Sequence, residues 1–490
     1  MASEVVSLWI NGQRRLAGDS GTFEVRNPLS KKVVAISASA TSQDCKDAAE
    51  AAGKTFDAWE RTPAAQKRAI FIRASELIQT DSYKQKFAKV LWDETAASNE
   101  MLGLNILAGQ ALFLDAASQA SQVKGTSFPS GASPGGHVIV QRRAHGAILS
   151  IVPWNAPVAL LIRAIAIPLI CGNTIVVKSS EFSPWSQEIV IELMHEAGIP
   201  PGVLNYISMS RETSPVLTAE LIGNPAIRHV NFTGSDRIGK IIAGEAAKYL
   251  KPCVLELGGK APAIVLDDAD VDLAARSITF GCLLGSGQVC MSTERVIVQR
   301  SVASRLIPAL QKHFASIRAG NIHSNPSAKI SSLINDGAAE SVLTLLRDAQ
   351  KEGAEVIVGD LKRDGAVLQP HILSGIRPGM KAFDRESFGP VIGIVMVDTI
   401  DQAVELANAT DYSLTASVWT RDVNRALEIG ARIRAGTVAI NGSTTHSEVE
   451  IGAAGLGGAT GYGNFDIQHF TVERAIVVHP QQATYPIVDM

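Results

Sequence analysis

From Gly146 to about Asp272, short apolar runs alternate with helical segments. The runs are Ala147–Val152, Thr174–Lys178, Val203–Ile207, His229–Phe232, Val254–Leu257 and Pro262–Val265. Pro184–Ala197 and Ile238–Tyr249 are two of the helices between them. Apolar runs spaced by helices read as strands of a parallel sheet buried on both faces. After Asp272 the alternation restarts. Helices Leu273–Leu284, Ala303–Ile317, Asp401–Ala407 and Val423–Ile433 alternate with strands Arg295–Val298, Glu355–Val358, Val391–Val397, Thr415–Trp419 and Gly436–Ile440. Two successive α/β units are therefore predicted.

Before Gly146 the pattern is mostly helical. A strand Ser7–Ile10 runs into a turn at Asn11-Gly12. Ser42–Glu60 is Ala-rich and amphipathic, and Thr62-Pro63 opens a helix through Ala64–Leu77, with more helix to about Ser121. Gly125–Pro134 breaks the pattern. His137–Gln141 then predicts a β ribbon that protrudes, and the tail ends in a similar run, Ala475–His479. No short-period repeat is present.

Composition narrows the function classes. The chain has 490 residues, 46% of them apolar and 19% charged, which suits two or three domains and rules out wholesale disorder. Its net charge of −3 gives no electrostatic footprint for nucleic acid, and no polybasic run seeks a membrane. Five scattered cysteines do not suggest a disulfide framework, and no CxxC pair or His-rich tract suggests a metal site. Met1-Ala2-Ser3-Glu4 lacks a signal-peptide pattern, and Val488-Asp489-Met490 is no retention signal. The most membrane-like stretch, Ala156–Cys171, contains Arg163 and Pro168 and reads as a buried helix. A cytoplasmic protein is expected.

Five places carry candidate chemistry, each with a plainer alternative. Cys290, in Gly287-Gln288-Val289-Cys290, is either a small buried hydrophobe or a nucleophile approachable past small neighbours. Glu256, at a strand end, is either ion-paired with Lys260 or a base of raised pKa. Asn155, in Pro153-Trp154-Asn155-Ala156-Pro157, is a turn residue or an oxyanion donor. Gly234-Ser235-Asp236-Arg237-Ile238-Gly239 follows a strand and opens a helix, a context that suits phosphate, although Asp236 departs from GxGxxG. Lys178 and Glu181 end a strand, where they are either a solvated turn or ligand contacts.

Taken together, these segments closely resemble the aldehyde dehydrogenase superfamily, from Trp9-Ile10-Asn11-Gly12 to Phe470-Thr471. The matching motifs are Pro153-Trp154-Asn155, Gly172-Asn173-Thr174 leading to Lys178 and Glu181, Phe232-Thr233-Gly234-Ser235, Glu256-Leu257-Gly258-Gly259-Lys260, Gly287–Cys290 and Glu386-Ser387-Phe388-Gly389-Pro390, in the family's order and spacing. Asn155–Val158, Arg163–Ala166 and Cys290–Arg295 resemble the branch acting on aromatic aldehydes.

The resemblance implies an α/β fold with a Rossmann-like NAD-binding domain (1–122 and 142–256), an α/β catalytic domain (257–447), a small β oligomerisation arm (123–141 and 466–490) and a returning loop (448–465). It implies NAD-dependent oxidation of an aldehyde to the acid, with NADP weaker, and no metal. Cys290 would attack the aldehyde, Asn155 would hold the oxyanion, and Glu256 would activate the hydrolytic water. Gly234, Ser235 and Gly239 would lie near the diphosphate, Lys178 and Glu181 at the adenine ribose, Glu386 and Phe388 at the nicotinamide, and Trp154 and Leu257 along the same channel. Ala156, Val158, Ala159 and Leu160 would leave room for a ring. Arg163 would either pair with a carboxylate or favour rings bearing hydroxyl or carboxylate groups. A homodimer or homotetramer built on the arm is implied. Two departures stand out: Arg385 replaces the first of two usual acids before Phe-Gly-Pro, and the loop Ala453–Asn464 is divergent. Aliphatic or semialdehyde oxidation, CoA acylation and a non-catalytic role are the alternatives; Glu256, Cys290 and Asn155 are all present and weigh against the last two.

Overall fold

The protein, a computed structural model, is described for residues 5–452, 454–481 and 487. Met1–Glu4, Ala453 and the residues beyond Gln481 other than Ile487 lie outside the described residues, and so do the parts of the amino-terminal, loop and arm expectations that fall on them.

Two sheets organise the chain. The first has eight strands, with Ala147–Ile151 near its centre. Thr174–Lys178 and Leu204–Ile207 add on one side, and Ile227–Thr233 and Cys253–Glu256 on the other, all parallel. Strand order therefore reverses beside Ala147–Ile151. In open α/β sheets that switch point is where ligands sit, beyond the carboxyl ends of the strands. The edges are antiparallel: Leu8–Ile10 pairs with Leu204–Ile207, and Gly461–Tyr462 pairs with Cys253–Glu256. The divergent late loop thus supplies an edge strand to the first sheet.

The second sheet has seven strands and is parallel except for the edge strand Glu355–Val358. At its centre are Thr293–Gln299 and Ala261–Val265. These strands read as continuous apolar runs because both faces are covered. Cys290 and Glu386–Phe388 lie just before the amino ends of Thr293–Gln299 and Val391–Val397. Asn155, Thr233 and Glu256 lie at or beyond the carboxyl ends of first-sheet strands.

Most predicted elements recur within a residue or two at their ends; helix Arg300–Ser316 starts three residues earlier than predicted, strand His137–Ala144 ends three later and strand Thr471–Val478 starts four earlier. Strands Thr22–Arg26 and Val33–Ala38 and helix Asp336–Lys351 were not anticipated. Thr22–Arg26 carries polar residues at its exposed positions, and Val33–Ile36 is an apolar run of only four residues. Helix Pro157–Ile170 is buried along almost its full length, as its sequence suggests. Its amino end lacks a side-chain cap of its own; Asn105 Oδ1, from the adjacent helix, accepts from Val158 N and Ala159 N at 3.1 and 3.2 Å. The more membrane-like stretch is Asn99–Gln122, which is long and apolar enough to cross a membrane by length and composition. It packs against helices Ala64–Leu77 and Pro157–Ile170 as part of a core.

His137–Ala144 pairs antiparallel with Thr471–Val478, and Thr126–Pro129 adds a third strand. Phe128, Ile139, Ile476, Val477 and Val478 are exposed on this small sheet.

Candidate active site

Cys290 lies in a loop forced through three consecutive left-handed residues, Gly285, Ser286 and Gly287. A β-carbon on Gly287 would stand 2.1 Å from the carbonyl oxygen of Gly389, so only glycine fits. Ser286 accepts an unfavourable backbone conformation, and its hydroxyl donates to Ser331 O at 2.9 Å. The turn brings half-buried Cys290 to the wall of a cavity of about 250 Å³. Asn155 and Arg163 line the same cavity, with Ala156, Ala159, Leu160 and Phe465. Spacings of three and four along Pro157–Ile170 put these residues on one face. Val158 points elsewhere, into the core of the first domain.

Glu256 ends its strand 3% exposed. Its carboxylate is ion-paired, but not with Lys260. Arg163 Nη2 donates to Glu256 Oε2 at 2.5 Å and to Thr233 Oγ1 at 2.9 Å. Lys260 instead pairs with Glu294 at 2.5 Å. The two readings of Arg163 therefore merge: it pairs with a carboxylate and also faces the cavity, its guanidinium 4.6 Å from the Phe465 ring centre. Arg163 Nε and Glu256 Oε1 are buried without a well-formed hydrogen bond. Burial pushes the Cys290 thiol well above the usual range; the Glu256 charge adds to the rise and Arg163 opposes it.

Asn155 Nδ2 donates to the carbonyl of Gln288 at 3.0 Å. Gln288 is itself braced: Ile334 N donates to its Oε1 at 2.8 Å, and its Nε2 donates to Gly285 O at 3.1 Å. This brace was not foreseen, because a glutamine in a loop carries no sequence signal of what it holds.

The residues expected to meet a dinucleotide lie at strand ends, turns and a helix start of the two sheets. Gly234 N donates to Glu256 O at 3.1 Å. Ser235 caps helix Asp236–Ala247 without spending its hydroxyl on the cap. A β-carbon on Gly239 would meet the Leu257 side chain at 2.5 Å, so glycine allows helix and strand to close. Lys178 and Glu181 face each other at 4.0 Å, and burial holds the lysine below its ordinary range. The buried hydroxyls of Ser179 and Ser183 nearby have no partner. Trp154 meets Phe388 edge-on, ring centres 5.7 Å apart. Glu386 Oε1 accepts from Gly259 N at 3.0 Å; burial and the neighbouring Glu294 charge push Glu386 up to about 8. A helix start with no side-chain cap, spare buried hydroxyls and the carboxyl groups of Glu181 and Glu386 fit a dinucleotide.

Two features here were not foreseen. Glu294 accepts from Ser387 N at 2.9 Å and from Phe388 N at 3.4 Å, so the Lys260–Glu294 pair carries the Glu386–Phe388 turn. Asp236, which departs from the glycine pattern, and Arg385, which replaces a usual acid, pair with each other at 3.3 Å.

A sequence profile described as the aldehyde dehydrogenase family matches residues 16–475. The chain is 39% identical over 486 residues to a vanillin dehydrogenase of Pseudomonas sp. (strain HR199 / DSM 7063), covering 98% of this chain and 99% of that protein. A solved salicylaldehyde dehydrogenase from Pseudomonas putida G7, complexed with salicylaldehyde, superposes with a TM-score of 0.95 at 38% identity, covering 99% of this chain and all of that one. An NAD-dependent aldehyde dehydrogenase from Sinorhizobium meliloti superposes with a TM-score of 0.92 at 29% identity, covering 99% and 96%.

Proposed function

The chain belongs to the aldehyde dehydrogenase family and oxidises aldehydes, and from that premise we propose that it takes aromatic aldehydes to their carboxylic acids, using NAD in preference to NADP. The observation that carries the chemistry is the cavity shared by Cys290, Asn155 and Arg163, with Arg163 ion-paired to Glu256, which is itself not part of the lining.

The Cys290 thiol gives its proton to solvent, and the thiolate attacks the aldehyde carbon and forms a thiohemiacetal. Asn155 Nδ2 has a second N–H beyond the one given to Gln288, and this donates to the developing oxyanion. A nicotinamide dinucleotide held at Gly234–Gly239, Lys178, Glu181, Glu386 and Phe388 would supply the hydride acceptor, and loss of hydride would leave a thioester on Cys290. Glu256 takes a proton from water through its spare oxygen Oε1, and the resulting hydroxide displaces the sulfur to give the acid. Arg163 holds the other oxygen, which fixes the carboxylate's direction. The strand ends around Gly234–Gly239, Lys178 and Glu181 would hold the dinucleotide, with Glu386 and Phe388 opposite. The first sheet with its helices is then the cofactor domain, the second the catalytic domain, and the ribbon of three strands the assembly arm, its exposed Phe128, Ile139 and Ile476 covered by a second copy.

An aromatic substrate is supported by the cavity wall. Ala156 and Ala159 leave a slot, and Leu160, Phe465 and Val289 give it apolar faces suited to a ring. The names of the vanillin and salicylaldehyde relatives point the same way. Glu181 beside the adenine ribose would repel a 2′-phosphate, and Lys178 would offset part of that repulsion. The test is a panel of aldehydes ranked by kcat/KM with each cofactor. Substituted benzaldehydes should lead, with NAD ahead of NADP. Acetaldehyde or hexanal ahead by tenfold would overturn the aromatic assignment while leaving the family chemistry intact.

A further inference from the structure

A second cavity, of about 330 Å³, abuts the first; Trp154 and Asn155 reach its lining, but no step of the reaction just described is placed in it. The two share Met101, Asn155 and Leu284. Its apolar walls include Phe280, Leu283 and Ile330. Around it stand Arg276, Lys329 and His313, and among the described residues Arg276 and Lys329 form no ion pair. The one carboxylate in the lining, Glu100, sits in the first turn of its helix, where the helix dipole already favours it. Ser331 and Ser332, 5% and 2% exposed, stand among the lining residues, and their hydroxyls are covered and have no hydrogen-bond partner. Unpaired cations beside an apolar wall suit a guest with one anionic end and one apolar end.

We propose that this cavity binds a small aryl monocarboxylate, the ring against Phe280 and Leu283 and the carboxylate toward Arg276 and Lys329. The ligand would lie on the brace of the oxyanion donor, because Gln288 Nε2 reaches Ser332 O at 3.4 Å while the Gln288 carbonyl holds Asn155. Occupancy therefore slows aldehyde oxidation without competing with the aldehyde. An acid of the class released by the proposed reaction has this chemistry, so the link to product rests on that reading; the binding itself does not.

Two measurements keep these apart. Benzoate is titrated calorimetrically into full-length Cys290→Ala protein and into the same protein carrying Arg276→Ala and Lys329→Ala, two exposed positions. Affinity should fall at least tenfold in the triple variant, and benzamide, the neutral analogue, should bind at least tenfold more weakly than benzoate to the parent. Equal affinity in both proteins would place benzoate in the Cys290 cavity and overturn the proposal, as would inorganic phosphate binding as tightly as benzoate. In the active enzyme, with whichever aldehyde it oxidises best, benzoate should lower kcat and leave KM for the aldehyde near its starting value. Arg276→Ala/Lys329→Ala should remove that inhibition and keep kcat/KM unchanged without benzoate. Purely competitive inhibition that persists in the double variant would overturn the regulatory part.

Discussion

Glu256 and Lys260 sit four residues apart between the two sheets, and each is buried in an ion pair of 2.5 Å. The pairs differ in what their remaining atoms do. Glu294, the partner of Lys260, also accepts from the backbone of Ser387 and Phe388, so its oxygens are saturated. Glu256 Oε1 and Arg163 Nε are left without a well-formed hydrogen bond. A buried pair is weak evidence of stability by itself, because desolvation offsets the attraction. The saturated pair fixes a backbone turn. The unsaturated one keeps capacity for atoms that are not part of the chain, as a reacting site requires.

The largest test of this contrast is Glu256→Gln. The glutamine oxygen still accepts from Arg163, so the fold should hold while the base is lost. Turnover should fall by roughly 10²–10⁴, with a burst of reduced cofactor preceding slow thioester hydrolysis. Steady-state turnover near wild type would move the base elsewhere. At the other pair, Lys260→Met strands the Glu294 charge and should cost about 3–5 kcal/mol in denaturant unfolding. Adding Glu294→Gln to it should recover part of that loss. If Lys260→Met changes turnover greatly but stability little, the assignment of the two pairs is reversed.

The sequence makes the elements around this contrast legible and leaves its partners hidden. Strand and helix periods are local, and Cys290, Glu256 and Asn155 stand out because motif and spacing mark them. Which cation meets Glu256 depends on the way helix Pro157–Ile170 lies against the sheet. Chain proximity favours Lys260, yet the structure selects Arg163, 93 residues away. Lys260 is drawn across to the second sheet, where Glu294 opens a strand. The Asp236–Arg385 pair shows the same limit: each departure from pattern is visible alone, and their meeting at 3.3 Å is a tertiary fact.

A smaller effect follows from Glu386, which is held by Gly259 N and raised to about 8 by burial and by Glu294. Its neighbours also include Lys260, which lowers it, and Glu256, which raises it further. Below about pH 8 the free enzyme therefore carries this carboxyl protonated. If the carboxylate form accepts hydrogen bonds from ribose hydroxyls, cofactor binding releases a proton, and affinity rises with pH until about 8 and then levels. The limiting slope is about tenfold per pH unit. NAD titrations from pH 6 to 9, compared with Glu386→Gln, isolate this group. The variant should bind more weakly at high pH with a flatter profile, and superimposable profiles would exclude Glu386 from the proton balance.

The smallest effect separates the two roles that Glu256 can have toward Cys290 before substrate arrives. A base would draw the thiol proton and speed alkylation. A fixed negative charge would oppose the thiolate and slow it. Burial dominates the raised thiol, and Glu256 adds to it while Arg163 opposes it, so the charge role governs in the free enzyme. With iodoacetamide at a fixed pH below the thiol's range, Glu256→Gln should then alkylate Cys290 faster, by about two- to tenfold, a shift within one pKa unit. Arg163→Met removes the opposing charge and should slow the reaction by a similar factor. Lys260→Met, whose cation is engaged by Glu294, should leave the rate nearly unchanged. Slower alkylation in Glu256→Gln would show the carboxylate acting as a base on the thiol in the resting enzyme. The unsaturated oxygen would then serve Cys290 first and the hydrolytic water only later in the cycle.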